Sequence, residues 1–167
     1  MHYHAEVWLP KPEDAEEQVS RTLAPHEEQA GGWWDWWQIG GRWKGAHVAG
    51  YDSVKDPAHL KTCWLCRGTG QRTDMVVKDG CNGCAGTGKK VDWPTQWPAH
   101  EGDVMGVAEL RPDLDCHTLV LPERQPLHVE EWNGKTFVKT GFTGNVAEVL
   151  REHGVKAGYL VTVDYHC

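Results

Sequence analysis

The 167-residue chain has no apolar run near the roughly 20 residues that span a bilayer. Its first stretch, MHYHAEVWLPKPEDAEE, holds neither a basic n-region nor a long apolar h-region. These absences argue against a membrane span and a signal peptide and predict a cytoplasmic protein. Familiar catalytic signatures are missing too: no G-x-S-x-G elbow, no phosphate-binding glycine loop, no His-Glu-x-x-His and no paired His-x-Ser/Thr. The ten histidines therefore come without a catalytic frame, and the chain reads more readily as a binding protein than as an enzyme. Positive charge is scarce. The formal net charge is −7, and six of the 17 Lys and Arg fall in residues 61 to 90, leaving 11 basic against 22 acidic side chains elsewhere. Phosphate contacts need cationic groups, so general nucleic-acid binding is unlikely for such a body. With 40% hydrophobic and 25% charged residues, the composition is that of one globular domain with a core.

Six cysteines are present, and their spacing decides how four of them are read. Cys63-Trp64-Leu65-Cys66-Arg67-Gly68-Thr69-Gly70 and Cys81-Asn82-Gly83-Cys84-Ala85-Gly86-Thr87-Gly88 are two copies of C-x-x-C-x-G-x-G. Two such pairs across a hairpin-length spacer supply four thiolates to one tetrahedral Zn²⁺. The glycines let the chain curl back after each second cysteine, so that backbone N–H groups point at sulfur. Cys63, Cys66, Cys81 and Cys84 are thus predicted to hold one structural Zn²⁺, with no open position for zinc catalysis. Cys116 and Cys167 are left as packing and incidental thiols.

These two units resemble the cysteine-rich zinc finger of the DnaJ co-chaperones, where four such units bind two zinc ions. Two units here imply one zinc. The resemblance covers residues 61 to 90 only, and no His-Pro-Asp triplet of a J-domain occurs. A one-zinc version in the anti-TRAP regulator serves protein–protein contact, so the module is a portable staple.

Around this insert the pattern predicts an α+β fold. His2 to Leu9 alternates as a strand, with Tyr3, Ala5, Val7 and Leu9 on one face and His2, His4, Glu6 and Trp8 on the other. A helix follows Pro12, with Ala15, Val19 and Leu23 inward. Val104 to Leu110 and Cys116 to Leu121 read as strands, and Glu131 to Thr140 as a hairpin around Asn133-Gly134. Thr143 is the expected cap of a second helix carrying Val146, Val149, Leu150 and His153, stopped by Gly154. Tyr159 to Tyr165 is the last strand. The order predicts a ferredoxin-like or similar sheet with helices on one face, residues 1–167 forming one domain and 61–90 an inserted zinc-binding β-hairpin.

Residues 31 to 45, GGWWDWWQIGGRWKG, hold five of the ten tryptophans. In an extended segment Trp34 and Trp36 share a face, opposite Trp33, Asp35 and Trp37. A core this small cannot hide every indole, so some should line a surface. The pair Gly40-Gly41 permits close backbone approach, and Arg42 can stack on an indole or fork onto a phosphate or carboxylate. Trp36, Trp37, Arg42, Trp43 and His166 are the candidate site for a small anionic or nucleotide-like ligand. A satisfied Asp35–Arg42 corner of the core, or a protein–protein hot spot, would use the same residues. If the first and last strands pair, His2, His4 and His166 gather near Asp164, as a second metal site or an acid–base pair.

Asp35-Trp36-Trp37-Gln38-Ile39-Gly40-Gly41-Arg42-Trp43, with Asp164-Tyr165-His166 at the other end, resembles a scattered group of small bacteriophage proteins. That resemblance implies a host-directed or anti-defence role in the host cytoplasm, such as binding a nucleotide signal. The two rival readings are an adaptor that binds a protein through the zinc hairpin and a small hydrolase of nucleotide signals that uses the histidines.

Overall fold

A computed structural model describes residues 1–52, 54–74, 76–92 and 103–167. The chain divides into a sheet unit, Met1–Tyr51 with Trp97–Cys167, and a second unit, Asp52–Gln96, that contains all four C-x-x-C cysteines. No helix among the described residues is long and apolar enough to cross a membrane.

The sheet unit is built on two long strands, β1 (His2–Leu9) and β10 (Tyr159–His166). They pair antiparallel over their whole length, from His2 opposite His166 to Leu9 opposite Tyr159. β6 (Thr118–Val120) runs parallel to β1 on its other side, and β7 (Leu127–His128) closes that edge. On the far edge of β10, β2 (Trp36–Ile39) pairs with Val163 to His166 and β5 (Val104–Gly106) with Tyr159 to Val161. The result is a mixed sheet, and the coarse class, α+β, is as expected. β8 (Glu130–Trp132) and β9 (Phe137–Lys139) form a separate hairpin, turned by Asn133, whose Oδ1 accepts the N–H groups of Lys135 and Thr136 at 3.0 Å each.

The two helices cover opposite faces. Val19 and Leu23 of α1 (Ala15–Leu23) are buried with Ala5, Val7, Leu9, Val161 and Val163. Val146, Val149 and Leu150 of α2 (Val146–Glu152) are buried with Leu119, Leu121 and Leu160. Alternation along the strands separates these two sets, so the expected placement of both helices on one face is corrected. Each helix carries a legible apolar stripe, but a stripe alone does not say which side of the sheet will receive it.

Several boundaries also move. The expected strand Val104 to Leu110 ends at Gly106, because Val107–Glu109 turns into a 3-10 coil once the Val107 N–H has bonded the Gly158 carbonyl at 2.9 Å. The strand expected from Cys116 to Leu121 is reduced to Thr118–Val120. Asn145, not Thr143, caps α2: its Oδ1 accepts the Glu148 N–H at 2.8 Å, while the Thr143 hydroxyl accepts the N–H of Asn145 itself at 3.3 Å. Gly154 follows α2 with φ of 67°, the expected stop.

Within the second unit, β3 (Leu60–Thr62) and β4 (Lys89–Val91) pair antiparallel and close the cysteine loop. The like-charged Lys61 and Lys90 face each other in this exposed register, and Lys61 ion-pairs with Asp92. The compact unit extends on both sides of the 61–90 segment marked out by the sequence.

Candidate metal centre and ligand-binding face

The four cysteines Cys63, Cys66, Cys81 and Cys84 are buried, and their sulfurs all lie within 4.8 Å of one another. Cys63 and Cys81 sulfurs are 3.9 Å apart, and those of Cys66 and Cys84 are 3.7 Å apart. A tetrahedron with metal–sulfur bonds of about 2.3 Å has edges of about 3.8 Å, so the donor set fits a metal ion. A disulfide would need sulfurs at about 2.05 Å, and all six cysteines are free.

The glycines do what the repeat implied. Arg67, Gly68 and Gly70 take positive φ, and so do Ala85, Gly86 and Gly88 at the equivalent positions of the second unit. The two loops then pack reciprocally: a Cβ on Gly70 would sit 2.2 Å from the Gly86 carbonyl oxygen, and one on Gly88 2.3 Å from that of Gly68. The Gly88 N–H donates to the Cys84 sulfur at 3.2 Å. Burial opposes a thiolate at Cys66, but backbone N–H groups of Gly70 and Gly68 and the neighbouring thiols bring its pKa down to about 7. Burial pushes the Cys81 thiol up to about 11. A metal ion bound at this sulfur would displace that proton. Leu65 packs against the sulfurs, whereas Trp64 beside it is 73% exposed.

The tryptophan stretch is divided between the two sheet faces. Trp33, Trp34 and Trp37 pack against the α1 cluster. Trp34 is buried, and its Nε1–H donates to the Leu23 carbonyl at 2.9 Å. The expected sharing of a face by Trp34 and Trp36 fails because β2 begins only at Trp36 and the residues before it turn rather than extend. Trp37 lines a shallow groove with Asp14, Glu16 and Glu17, an acidic setting that repels anions. Trp36, 40% exposed, lies on the other face, opposite His166 in the register, and its ring meets His2 at 5.6 Å. Trp43 is also on that side, stacked on His4 at 5.8 Å and 14°. The structure therefore groups Trp36, Trp43, Arg42 and His166 on one face and places Trp37 on the opposite one.

Asp164 organises that group. Its buried carboxylate accepts from His2 Nδ1 at 2.8 Å and from the Arg42 backbone N–H at 3.1 Å. His166 Nδ1 is 2.8 Å from Asp35, so Asp35 has His166 as a partner, and the His2 and His166 rings stand 5.2 Å apart. His2, His166 and Asp164 gather as the strand pairing predicted, while His4 joins Glu6 instead. The glycine pair has a reason within the chain. A Cβ on Gly41 would meet Asp164 at 2.4 Å, and one on Gly40 would meet Asp103 at 2.4 Å. Asp103 in turn accepts the Gly45 N–H at 2.6 Å. The close approach foreseen for a ligand is made to two of the protein's own carboxylates.

Beneath this segment lies a centre that sequence reasoning missed. Glu6 is fully buried and accepts from His4 at 2.8 Å, His47 at 2.9 Å and the Thr162 hydroxyl at 2.9 Å. Burial alone would raise its pKa, but the charge of His47 and the hydrogen bonds from His4 and His47 hold it at about 2. Glu6 was legible only as a polar alternation in β1; His47, 41 residues on, gave no signal.

Comparison with family models, curated proteins and solved structures returns no match. The site must therefore be read from its own chemistry.

Proposed function

We propose that this protein is a zinc-stapled binding protein that holds a small, flat anionic ligand, nucleotide-like in character, at Trp36, Arg42, Trp43, His2 and His166. The observation that carries this reading is the Asp164 carboxylate, which fixes His2 through Nδ1 and the Arg42 backbone together. His2 keeps Nε2 for a ligand, and the exposed Trp36 indole beside it offers a stacking plane. No catalytic step is assigned. The zinc is the one metal per chain that the four-cysteine set would take, and its role is structural. A phage-encoded, host-directed or anti-defence role, and a DnaJ-type origin of the cysteine module, are proposed with it on the two sequence resemblances alone.

Calorimetric titration with mononucleotides and cyclic dinucleotides tests the reading. A charge-assisted contact is worth about 1.5–3 kcal/mol, so Arg42→Ala should weaken binding by roughly one to two decades. Absence of binding to any anion, or a variant that only lowers the melting temperature, would sink it. Native mass spectrometry of the purified chain tests the single zinc.

One observation favours a second reading, an adaptor working through the cysteine unit: Trp64 and Val76 are 73% and 71% exposed there. Large apolar side chains left in water mark a contact surface. Replacing residues 61 to 90 with a short Gly/Ser bridge would abolish partner binding in this reading and spare ligand binding in the first.

A further inference from the structure

Past α1, the sheet face that this helix covers opens into a groove of about 490 Å³. Its floor is Tyr3 and Tyr165, stacked at 25° with centroids 5.5 Å apart, and Trp33 stands edge-on to Tyr165 at 4.5 Å. Trp132 and Phe137 of the β8–β9 hairpin line it from outside, with rings 5.2 Å apart. They are 58% and 57% exposed, on a hairpin whose strand residues are all exposed. The hairpin thus presents two large rings to the groove instead of burying them in a core.

The charged side chains that line the groove are acidic. Among the described residues that line the groove are Glu130 and Glu131 but no Lys or Arg. In the hairpin register Glu130 and Lys139 share the face of Trp132 and Phe137, whereas Glu131 and Val138 lie on the other face. The Thr118 hydroxyl bridges Tyr165 Oη at 2.8 Å and His128 Nδ1 at 2.9 Å, so these polar groups are occupied within the protein. Burial lowers the pKa of both His117 and His128, which keeps them uncharged at neutral pH. Ring faces carry negative electrostatic potential and attract cations. Among the described lining residues, none carries a cation that would neutralise an anion.

We infer that this groove is a binding site for an organic cation, such as an alkylated ammonium group, held among the rings of Tyr3, Trp33, Tyr165 and Trp132 and countered by Glu130, which shares the hairpin face of Trp132 and Phe137. The site lies on the opposite sheet face from His2, Trp36 and Asp164, so its ligand and its test are independent of the anion site proposed above.

The test is calorimetric titration of the full chain at low salt with benzyltrimethylammonium, and with phenylmethanesulfonate as an anion of similar bulk. The cation should bind saturably and the sulfonate should not. Trp132→Ala, at an exposed position, should weaken the cation about fivefold with the melting temperature unchanged. Glu130→Gln should weaken it about threefold and flatten its salt dependence. The proposal is overturned if the sulfonate binds as well as the cation, if both variants keep wild-type affinity, or if the cation shows no saturable binding up to about 10 mM.

Discussion

In the Asp52–Gln96 unit the buried cluster is four cysteines with Leu65 against them, whereas the sheet unit buries an apolar cluster on each face. The sheet unit can fold on the free energy of burying Leu and Val side chains, about 1.5–3 kcal/mol each. Among the described residues of the cysteine unit, Leu65 is the one apolar side chain packed on its buried cluster. Its paired glycine turns bring four sulfurs together, and without a cation that arrangement is a set of crowded thiols. The difference teaches where metal binding is folding energy and where it is not.

The sharpest way to break this comparison is to remove the metal. Chelation, or Cys63→Ser, should unfold residues 52–96 while leaving the sheet, since structural zinc contributes about 10–16 kcal/mol of apparent binding energy to small cysteine modules. Residue-resolved hydrogen exchange would report it, and loss of protection in β1 and β10 along with β3 would show that the sheet depends on the metal after all. The converse experiment is Leu23→Ala. Leu23 is fully buried against the sheet, so the truncation should cost about 2–5 kcal/mol there and leave metal content unchanged by elemental analysis.

A pH titration sharpens the contrast within the sheet unit. Glu6 has a folded pKa of about 2, below its ordinary 4.5. Its contribution is therefore fully present above about 4.5 and is lost as pH falls through that window toward 2; the total is on the order of 3 kcal/mol. Denaturant unfolding followed by tryptophan fluorescence should show the gap between wild type and Glu6→Gln shrinking between pH 5 and pH 2.5, on the scale of about one pKa window. A pH-independent gap would mean that Glu6 is not held ionised by His4 and His47. The smallest effect belongs to Trp64→Ala. An exposed substitution away from the sulfurs should change stability by less than about 0.5 kcal/mol. A clear fall in metal affinity would show that the indole supports the cluster; loss of a protein partner at unchanged stability would favour the adaptor reading.

Legibility differed between these regions for physical reasons. Cys63, Cys66, Cys81 and Cys84 could be read directly because ligands and supporting glycines are close in sequence, and tetrahedral coordination tolerates few spacings. β1, β10, α1 and α2 were legible from periodicity, since each buries one face. The tryptophan stretch was only half legible. Alternation assigns faces inside a strand, but Trp33 and Trp34 precede β2 and reach the α1 cluster through a turn. The glycine pair announced a close approach without saying to what, and Asp103 and Asp164 lie far along the chain.

The sequence alone determined the cysteine set, the mixed α and β content and the amphipathic faces of the long elements, because each is a local pattern repeated at the period of its own geometry. The sheet face that each helix covers, the separation of Trp37 from Trp36 and Trp43, and the meeting of Glu6 with His4, His47 and Thr162 in the interior emerge from long-range packing. Those outcomes depend on pairings between residues many positions apart. The pairing of β1 with β10 fixes the register that brings His2 to Asp164 and leaves Tyr3 and Tyr165 as the floor of a groove on the other side.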